Sequence, residues 1–228
     1  MLEIPISDTE EAEVYKTIKE YLKKNHFFKL DEIIPFLKFN LPKSMNINKN
    51  KIQRIINSLI KKGLISPGSK LTWDDILKNK TRYEIFNYIE ENPGVYLNEI
   101  MTSNNIGAHQ ALWHINILKK YLFIRSAHIE NRKVYFKYKL DPKYDKFFYY
   151  LKNEKVQRIL DLMEDNDEGL VPTIISNDLN MHYDTTRKYL EKLINLNLVS
   201  IEQENDGKKY KLDTDNYKLT LELLDHFK

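Results

Sequence analysis

The feature that most constrains this chain is a cassette of about twenty residues that occurs three times. The copies are NINKNKIQRIINSLIKKGLI (Asn46 to Ile65), NIGAHQALWHINILKKYLFI (Asn105 to Ile124) and NMHYDTTRKYLEKLINLNLV (Asn180 to Val199). Each has a polar start, then a helix with an apolar stripe. Each ends on a leucine (Leu59, Leu118, Leu193), a short linker and a closing apolar pair, Leu-Ile, Phe-Ile or Leu-Val. An internal repeat is read before anything else, because each copy is one supersecondary unit and the repeat sets the architecture.

Around the first copy, Thr9-Glu10-Glu11 places negative charge at a helix start, where the helix dipole favours it. Val14, Ile18, Tyr21 and Leu22 follow at helical spacing, and a second helix is expected over 30–39 with Ile33, Ile34 and Leu37 inward. The cassette helix runs over 48–62 on Ile52, Ile55, Ile56, Leu59 and Ile60, with Gly63 as its left-handed cap. Ser66-Pro67-Gly68-Ser69 then turns the chain almost at once and leaves at most a vestigial hairpin.

Around the second copy, Thr72 and Asp75 have capping-box spacing. A helix carrying Ile85 and Ile89 stops at Asn92-Pro93-Gly94, a second spans 97–103 and a third 108–121. Strands are expected over 124–129 and 134–140, joined by Glu130-Asn131-Arg132-Lys133. Residues 141–152 form a connector. Its aromatics, Tyr144 and Phe147 to Tyr150, are too dense to stand in water, so a short helix packed between units is expected.

The third copy follows a helix on Val156, Ile159, Leu160 and Met163 and, over 171–178, a second short helix or its lead-in. Its own helix spans 183–196. A hairpin over 199–202 and 209–212 then turns at Asn205-Asp206-Gly207. A last amphipathic helix is expected over 215–227, and its wide apolar face suits self-association.

Composition narrows the function classes. No apolar run among the 228 residues approaches the ~20 needed to span a bilayer. The N-terminus lacks the basic start and apolar stretch of a signal peptide, so the cytoplasm is the expected compartment. Cys is absent, which removes disulfides, thiolate nucleophiles and Cys-based zinc sites. The net charge of +3 is uneven: Lys and Arg minus Asp and Glu gives +5 for residues 1–70, +3 for 71–140 and −5 for 141–228. A phosphate-binding surface needs positive potential, which favours the first two segments.

Enzyme chemistry finds no support. The six histidines show no H-E-x-x-H spacing, and no phosphate-binding glycine loop is present. Glu164-Asp165-Asn166-Asp167-Glu168 lacks the spacing of a calcium loop. No catalytic residue, metal ligand or cofactor is expected.

The stretch Asn92-Pro93-Gly94-Val95-Tyr96-Leu97-Asn98-Glu99-Ile100, followed by Trp113-His114-Ile115-Asn116-Ile117-Leu118, resembles the ArsR/MarR-like winged-helix regulators common in archaea. The resemblance extends over 72–140, more loosely over 150–212, and reaches 8–70 through helix order and the Leu-Ile-Lys-Lys-Gly-Leu-Ile ending. It implies a mainly α fold with small β-hairpin wings, in three tandem winged helix-turn-helix units: 1–70 with a reduced wing, 71–140 as the best match, and 141–228 with the connector and terminal helix. The sequence departs from the family in placing Leu122 and Asn197 where Gly usually precedes the closing pair. Leucine tolerates a left-handed backbone poorly, so a different turn is expected after the second cassette helix. Leu112 stands where a polar side chain is usual, fit for a thymine methyl or a protein contact.

The resemblance further implies a DNA-binding transcriptional regulator that reads duplex DNA with the third helix of each unit and with basic wings. Lys and Arg suit phosphates; Asn, Gln, Arg and His suit base edges. The first copy offers Lys49, Asn50, Lys51, Gln53 and Arg54. The second offers His109, Gln110, Trp113, Asn116 and Lys120, with Arg132 and Lys133 on the wing. The third offers Tyr183, Thr185, Arg187 and Lys188, with Lys208 and Lys209 on a wing that Glu202, Glu204 and Asp206 weaken. The expected partner is double-stranded DNA, with homodimerisation through the C-terminal helix or the first unit. The competing class is a winged-helix protein-interaction scaffold, ESCRT-II-like or polymerase-associated, with a protein partner and little DNA contact. A third possibility is an effector-sensing regulator with a ligand near Tyr144 to Leu151.

Overall fold

A computed structural model describes Ile6, residues 8–204 and residues 207–225. Among these residues the fold is mainly helical, with two small antiparallel sheets. The chain forms two compact units. The first holds residues up to Ile89, Leu97–Arg125 and Lys137–Lys139; the second holds Glu90–Tyr96, Ser126–Phe136 and Leu140 onward.

In the first unit, α1 (Thr9–Lys24) is capped by Asp8, whose Oδ1 accepts the Glu10 N–H at 3.0 Å. Helices α2 (Leu30–Asn40) and α3 (Lys49–Lys61) pack on it. Their core is the apolar set that the helical spacing predicts, including Val14, Ile18, Ile33, Leu37, Ile52, Ile56 and Leu59. Ile34 and Ile60 sit at its margin, half-buried. Thr72 N–H and Oγ1 both donate to Asp75 Oδ2, at 3.1 and 2.8 Å, at the start of the short α4 (Trp73–Ile76). Then come α5 (Lys80–Glu91), α6 (Leu97–Asn104) and α7 (Ala108–Lys120).

In the second unit, β1 (Val95–Tyr96), β2 (Ile124–Ile129) and β3 (Arg132–Lys137) form a sheet in the order β1-β3-β2, with Val95 opposite Tyr135. Ile124 and Arg125 at the start of β2, and Lys137 at the end of β3, belong to the first unit. The two residues of β1 were too few to show a strand period in the sequence. The Asn92-Pro93-Gly94 stop prepares that strand: Gly94 has φ +83°, and its N–H donates to Tyr135 O at 2.9 Å. The hairpin turn is tighter than expected. Only Glu130 and Asn131 lie in it, and Glu130 takes the left-handed conformation that a two-residue connection demands. Arg132 and Lys133 open β3 instead, and the strand ends at Lys137 rather than Leu140.

A short 3-10 turn (Pro142–Tyr144) leads into α8 (Asp145–Leu151), followed by α9 (Glu154–Glu164), α10 (Pro172–Asp178) and α11 (Tyr183–Asn195). Strands β4 (Val199–Glu204) and β5 (Gly207–Leu212) pair with Val199 opposite Leu212, and α12 (Thr214–Asp225) follows. The expected turn residues Asn205 and Asp206, and the expected last turn of the terminal helix, lie outside the described residues. The connector aromatics enter this unit's core through Phe148 and Tyr150, together with Leu151.

The cassette is repeated in geometry as well as in letters. Asn46, Asn105 and Asn180 precede α3, α7 and α11, and all three are left-handed at φ 43°, 49° and 49°. Asparagine is the non-glycine residue best suited to that conformation. Gly63, Leu122 and Asn197 follow the helices, again left-handed, at φ 70°, 57° and 58°. The next N–H, of Leu64, Phe123 or Leu198, donates back to the carbonyl of Leu59, Leu118 or Leu193 at 2.9, 2.9 and 3.0 Å. The turn after α7 therefore matches the other two, contrary to the expectation drawn from Leu122. The backbone pattern overrides the preference of the side chain. A Cβ on Gly63 would meet Leu122 Cγ at 2.8 Å, so these two turns come close within the first unit and Gly63 is needed for space as well as for φ.

Candidate nucleic-acid interface

The three cassette helices each bury one stripe and expose the other, so their polar residues face outward by construction. In α3, Ile52, Ile55, Ile56 and Leu59 are buried while Lys49, Asn50, Lys51 and Arg54 are exposed, with Gln53 half-buried. In α7, Ala111, His114, Ile115 and Leu118 are buried while His109, Gln110, Leu112, Trp113, Asn116 and Lys120 are exposed. In α11, Thr186, Leu190 and Leu193 are buried while Tyr183, Arg187 and Lys188 are exposed and Thr185 is half-buried.

Exposure does not make these faces equal, because the structure neutralises some of the cations. Lys51 Nζ lies 2.6 Å from Glu10, and Lys62 pairs with the buried Glu11, which also accepts from Ser58. The acidic first turn of α1 thus does more than complement the helix dipole: it forms one wall of an open groove whose other wall carries Asn50, Lys51 and Arg54. In the second unit, Glu130 at the β2–β3 turn is held by Lys188 at 3.3 Å and Lys192 at 3.5 Å, and accepts from the Tyr150 hydroxyl at 3.2 Å. Burial pushes the Glu130 carboxyl up, but Lys188, Tyr150 and Lys192 outweigh it and hold the group below the usual range. Arg187 lies 3.6 Å from Glu191.

The β2–β3 hairpin presents its two cations differently. Arg132 stacks over the Tyr96 ring, 4.7 Å from guanidinium carbon to centroid, which fixes it against β1. Lys133 is exposed, with no side-chain partner among the described residues. On the other hairpin, Glu202 sits opposite Lys209 and 4.0 Å from Lys211 Nζ, so acidic residues answer its lysines.

Helix α7 stands apart. Among the described residues, the side chains of His109, Gln110, Asn116 and Lys120 make no hydrogen bond or ion pair. Gly107 at its N-cap supplies no side-chain bond, and no acid lies in its first turn. The exposed Trp113 covers Arg82, whose guanidinium carbon is 5.7 Å from the ring centroid, and packs edge-on to His114 at 4.8 Å. His114 itself is buried, and its Nδ1 has no partner. The sequence marks the exposed His109, Gln110 and Trp113 of this helix but hides Arg82, because a charged residue in a helix's first turn has the pattern of a surface residue.

Among the described residues no helix is long and apolar enough to cross a membrane, and no cluster of three His, Asp or Glu side chains is placed to hold a metal.

No family model matches the chain. The chain is 34% identical over 160 residues to an uncharacterized HTH-type transcriptional regulator of Methanocaldococcus jannaschii, a match that covers 69% of this chain and 40% of that protein. The chain therefore spans less than half the length of this curated relative. Among solved structures it is similar to a bacterial selenocysteine-specific elongation factor, EF-Sec, at 14% identity over 92% of this chain and 32% of that one. The TM-score of 0.29 is too low for that likeness to bear on the fold.

Proposed function

We propose that this chain is a DNA-binding transcriptional regulator built from three tandem winged helix-turn-helix units, over 1–70, 71–140 and 141–228. In this reading α7 is the principal recognition helix, with His109, Gln110, Trp113, Asn116 and Lys120 toward the major groove. Lys49, Asn50, Gln53 and Arg54 of α3, and Lys133 of the β2–β3 hairpin, add contacts to the duplex. Lys51, Tyr183, Thr185, Arg187 and Lys188 are secondary, and Arg132 acts from its seat on Tyr96. The observation that carries the reading is the outward polar face of α7, where His109, Gln110, Asn116 and Lys120 make no hydrogen bond or ion pair among the described residues, beside a helix start with no acid in its first turn. The relative's name, HTH-type transcriptional regulator, agrees with it.

The test is binding of the purified chain to duplex DNA across a salt series. Each neutralised phosphate releases condensed counterions, so the logarithm of affinity should fall linearly with the logarithm of salt, by about 0.9 per phosphate contact. Absent or salt-independent binding overturns the reading.

Glu130 supplies a sharper check. Glu130→Gln is expected to raise duplex affinity about threefold and to steepen the salt slope by one to two, because it frees Lys188 and Lys192 for phosphates. Fluorescence anisotropy at several salt concentrations reads both quantities. An unchanged slope would remove α11 from the interface. The same linkage has a pH sign. The Glu130 carboxyl is held low, so its pairing stabilises the second unit at neutral pH and above, and that contribution is lost as pH falls through its depressed value.

A protein-interaction scaffold is the second reading. Leu219, Leu221 and Leu223 of α12 are 54%, 40% and 37% exposed, an apolar surface fit for a protein partner or a second copy. Sedimentation of the chain alone tests the second copy: a monomer at micromolar concentration rules out self-association through α12.

A further inference from the structure

Arg82 is 4% exposed, and among the described residues no carboxylate pairs with it. Its Nε and Nη1 are closed off from solvent without a hydrogen-bond partner, whereas Nη2 is not among the occluded atoms. The residue sits in the first turn of α5, where its own N–H donates to Asn79 Oδ1 at 3.0 Å. That turn holds no acid. The nearby Tyr121 hydroxyl is already committed to Ser69 Oγ and Leu71 O, at 2.7 and 2.6 Å. Beside Arg82 stands His114, also 4% exposed, with Nδ1 unpartnered. Over the guanidinium lies the indole of Trp113, itself 56% exposed.

A guanidinium does not discharge its cost by losing a proton, because arginine stays charged in proteins. The Trp113 face compensates only part of the lost hydration. A buried cation without a counter-ion is expensive, and an orphaned buried donor in a folded chain calls for an explanation. The fork of N–H groups on arginine matches the oxygens of a phosphate. The N-terminal turn of α5 adds positive dipole at the same place.

We propose that Arg82, walled by His114 and roofed by Trp113, is an anion receptor for a phosphate group, and that its ligand is a backbone phosphodiester of the duplex on which α7 lies. The choice of ligand rests on the DNA-binding reading; the receptor chemistry does not. Trp113 is the cover that shifts when the oxygen atoms reach Nε and Nη1. Arg82 then exchanges an unpaired burial for charge-assisted hydrogen bonds.

The chain has two tryptophans, Trp73 and Trp113. Trp73 stacks on Phe123 at 4.9 Å, an arrangement phenylalanine reproduces, so Trp73→Phe leaves Trp113 as the sole reporter. This variant is titrated with inorganic phosphate at constant ionic strength against chloride, and separately with duplex DNA, with and without Arg82→Met. Arg82→Lys repeats the series as a charge-preserving change without the fork. The expected result is a saturable change of Trp113 emission with phosphate, abolished in Arg82→Met and weakened in Arg82→Lys. Duplex affinity should fall about tenfold in Arg82→Met, with a salt slope smaller by about one. The melting temperature of Arg82→Met should equal or exceed that of the parent, because an unpaired buried charge has been removed.

Several outcomes overturn the proposal: no Trp113 response to either titrant, a response that persists in Arg82→Met, or a melting temperature several degrees lower, which marks a structural arginine. If the parent binds duplex and Arg82→Met binds it equally, the receptor falls while the DNA-binding reading stands. If inorganic phosphate gives the Arg82-dependent response and duplex does not bind, the receptor stands and its assigned ligand is overturned together with that reading.

Discussion

Replacing His109, Gln110 and Asn116 together by alanine is expected to weaken duplex binding by at least about 30-fold, without unfolding the chain. A well-formed base-edge contact is worth about 1–3 kcal/mol of discrimination. Two such contacts set a floor of ~2 kcal/mol, which is the quoted factor. All three side chains are exposed and, among the described residues, take no part in hydrogen bonds or ion pairs, so stability should change by less than about 0.5 kcal/mol. None is a fixed cation, so the salt slope should hold while the intercept drops. Replacing Lys120 should do the reverse, lowering the slope by about one with little effect on sequence preference. A competition assay with unrelated duplex separates the two. Affinity within twofold of the parent would show that α7 does not carry recognition. The comparable face of α11 should respond less, because Arg187 and Lys188 already answer Glu191 and Glu130.

That contrast also marks the boundary of what the sequence discloses. The cassette helices and their ends were legible because their determinants are local. A left-handed Asn opens each, an apolar stripe at helical spacing runs along it, and a backbone N–H closes back onto the last leucine. Leu122 misled for the same reason: its own preference speaks against the turn, and the competing interest is the pattern around it. What stayed hidden was set by distance along the chain. Lys51 and Glu10 are 41 residues apart, and Lys188 and Glu130 are 58 apart, so neither neutralisation shows as a charge pattern. The net charge of a segment therefore misjudges its usable cations: α3 loses Lys51, and the acidic third segment spends Lys188 on a turn from the second. Arg82 was hidden by residue type, since only packing reveals that a charge in a helix's first turn lies beneath an indole.

Phe136 of β3 is the position where core packing and the hairpin meet, and Phe136→Ala is expected to lower stability by about 3–5 kcal/mol. The ring is fully buried in a cluster that also holds Val134, Phe148, Leu151, Val156 and Ile159. Gly94 lies against it: a Cβ there would meet Phe136 Cε1 at 3.4 Å, an ordinary contact, so the glycine answers to its φ of +83° rather than to space. The walls of the space left by alanine are strands and helices held by their own hydrogen bonds, so collapse into the void is limited and the cavity cost adds to the lost transfer energy. For a chain of this length the melting temperature should fall by on the order of 10 °C. Phe136→Leu keeps most of the volume and should lose less than about 1.5 kcal/mol. Urea denaturation of both variants measures the difference, and a loss below ~1 kcal/mol in the alanine variant would show that β3 is not clamped by this core. The consequence for binding follows from the strand itself. Arg132 and Lys133 open β3, and Arg132 takes its place on Tyr96 of β1, the strand paired to Val134 and Tyr135. Loosening the ring behind that ladder should therefore weaken duplex binding in proportion to unfolding. The alanine variant should recover parental affinity at low temperature, where the folded fraction is restored.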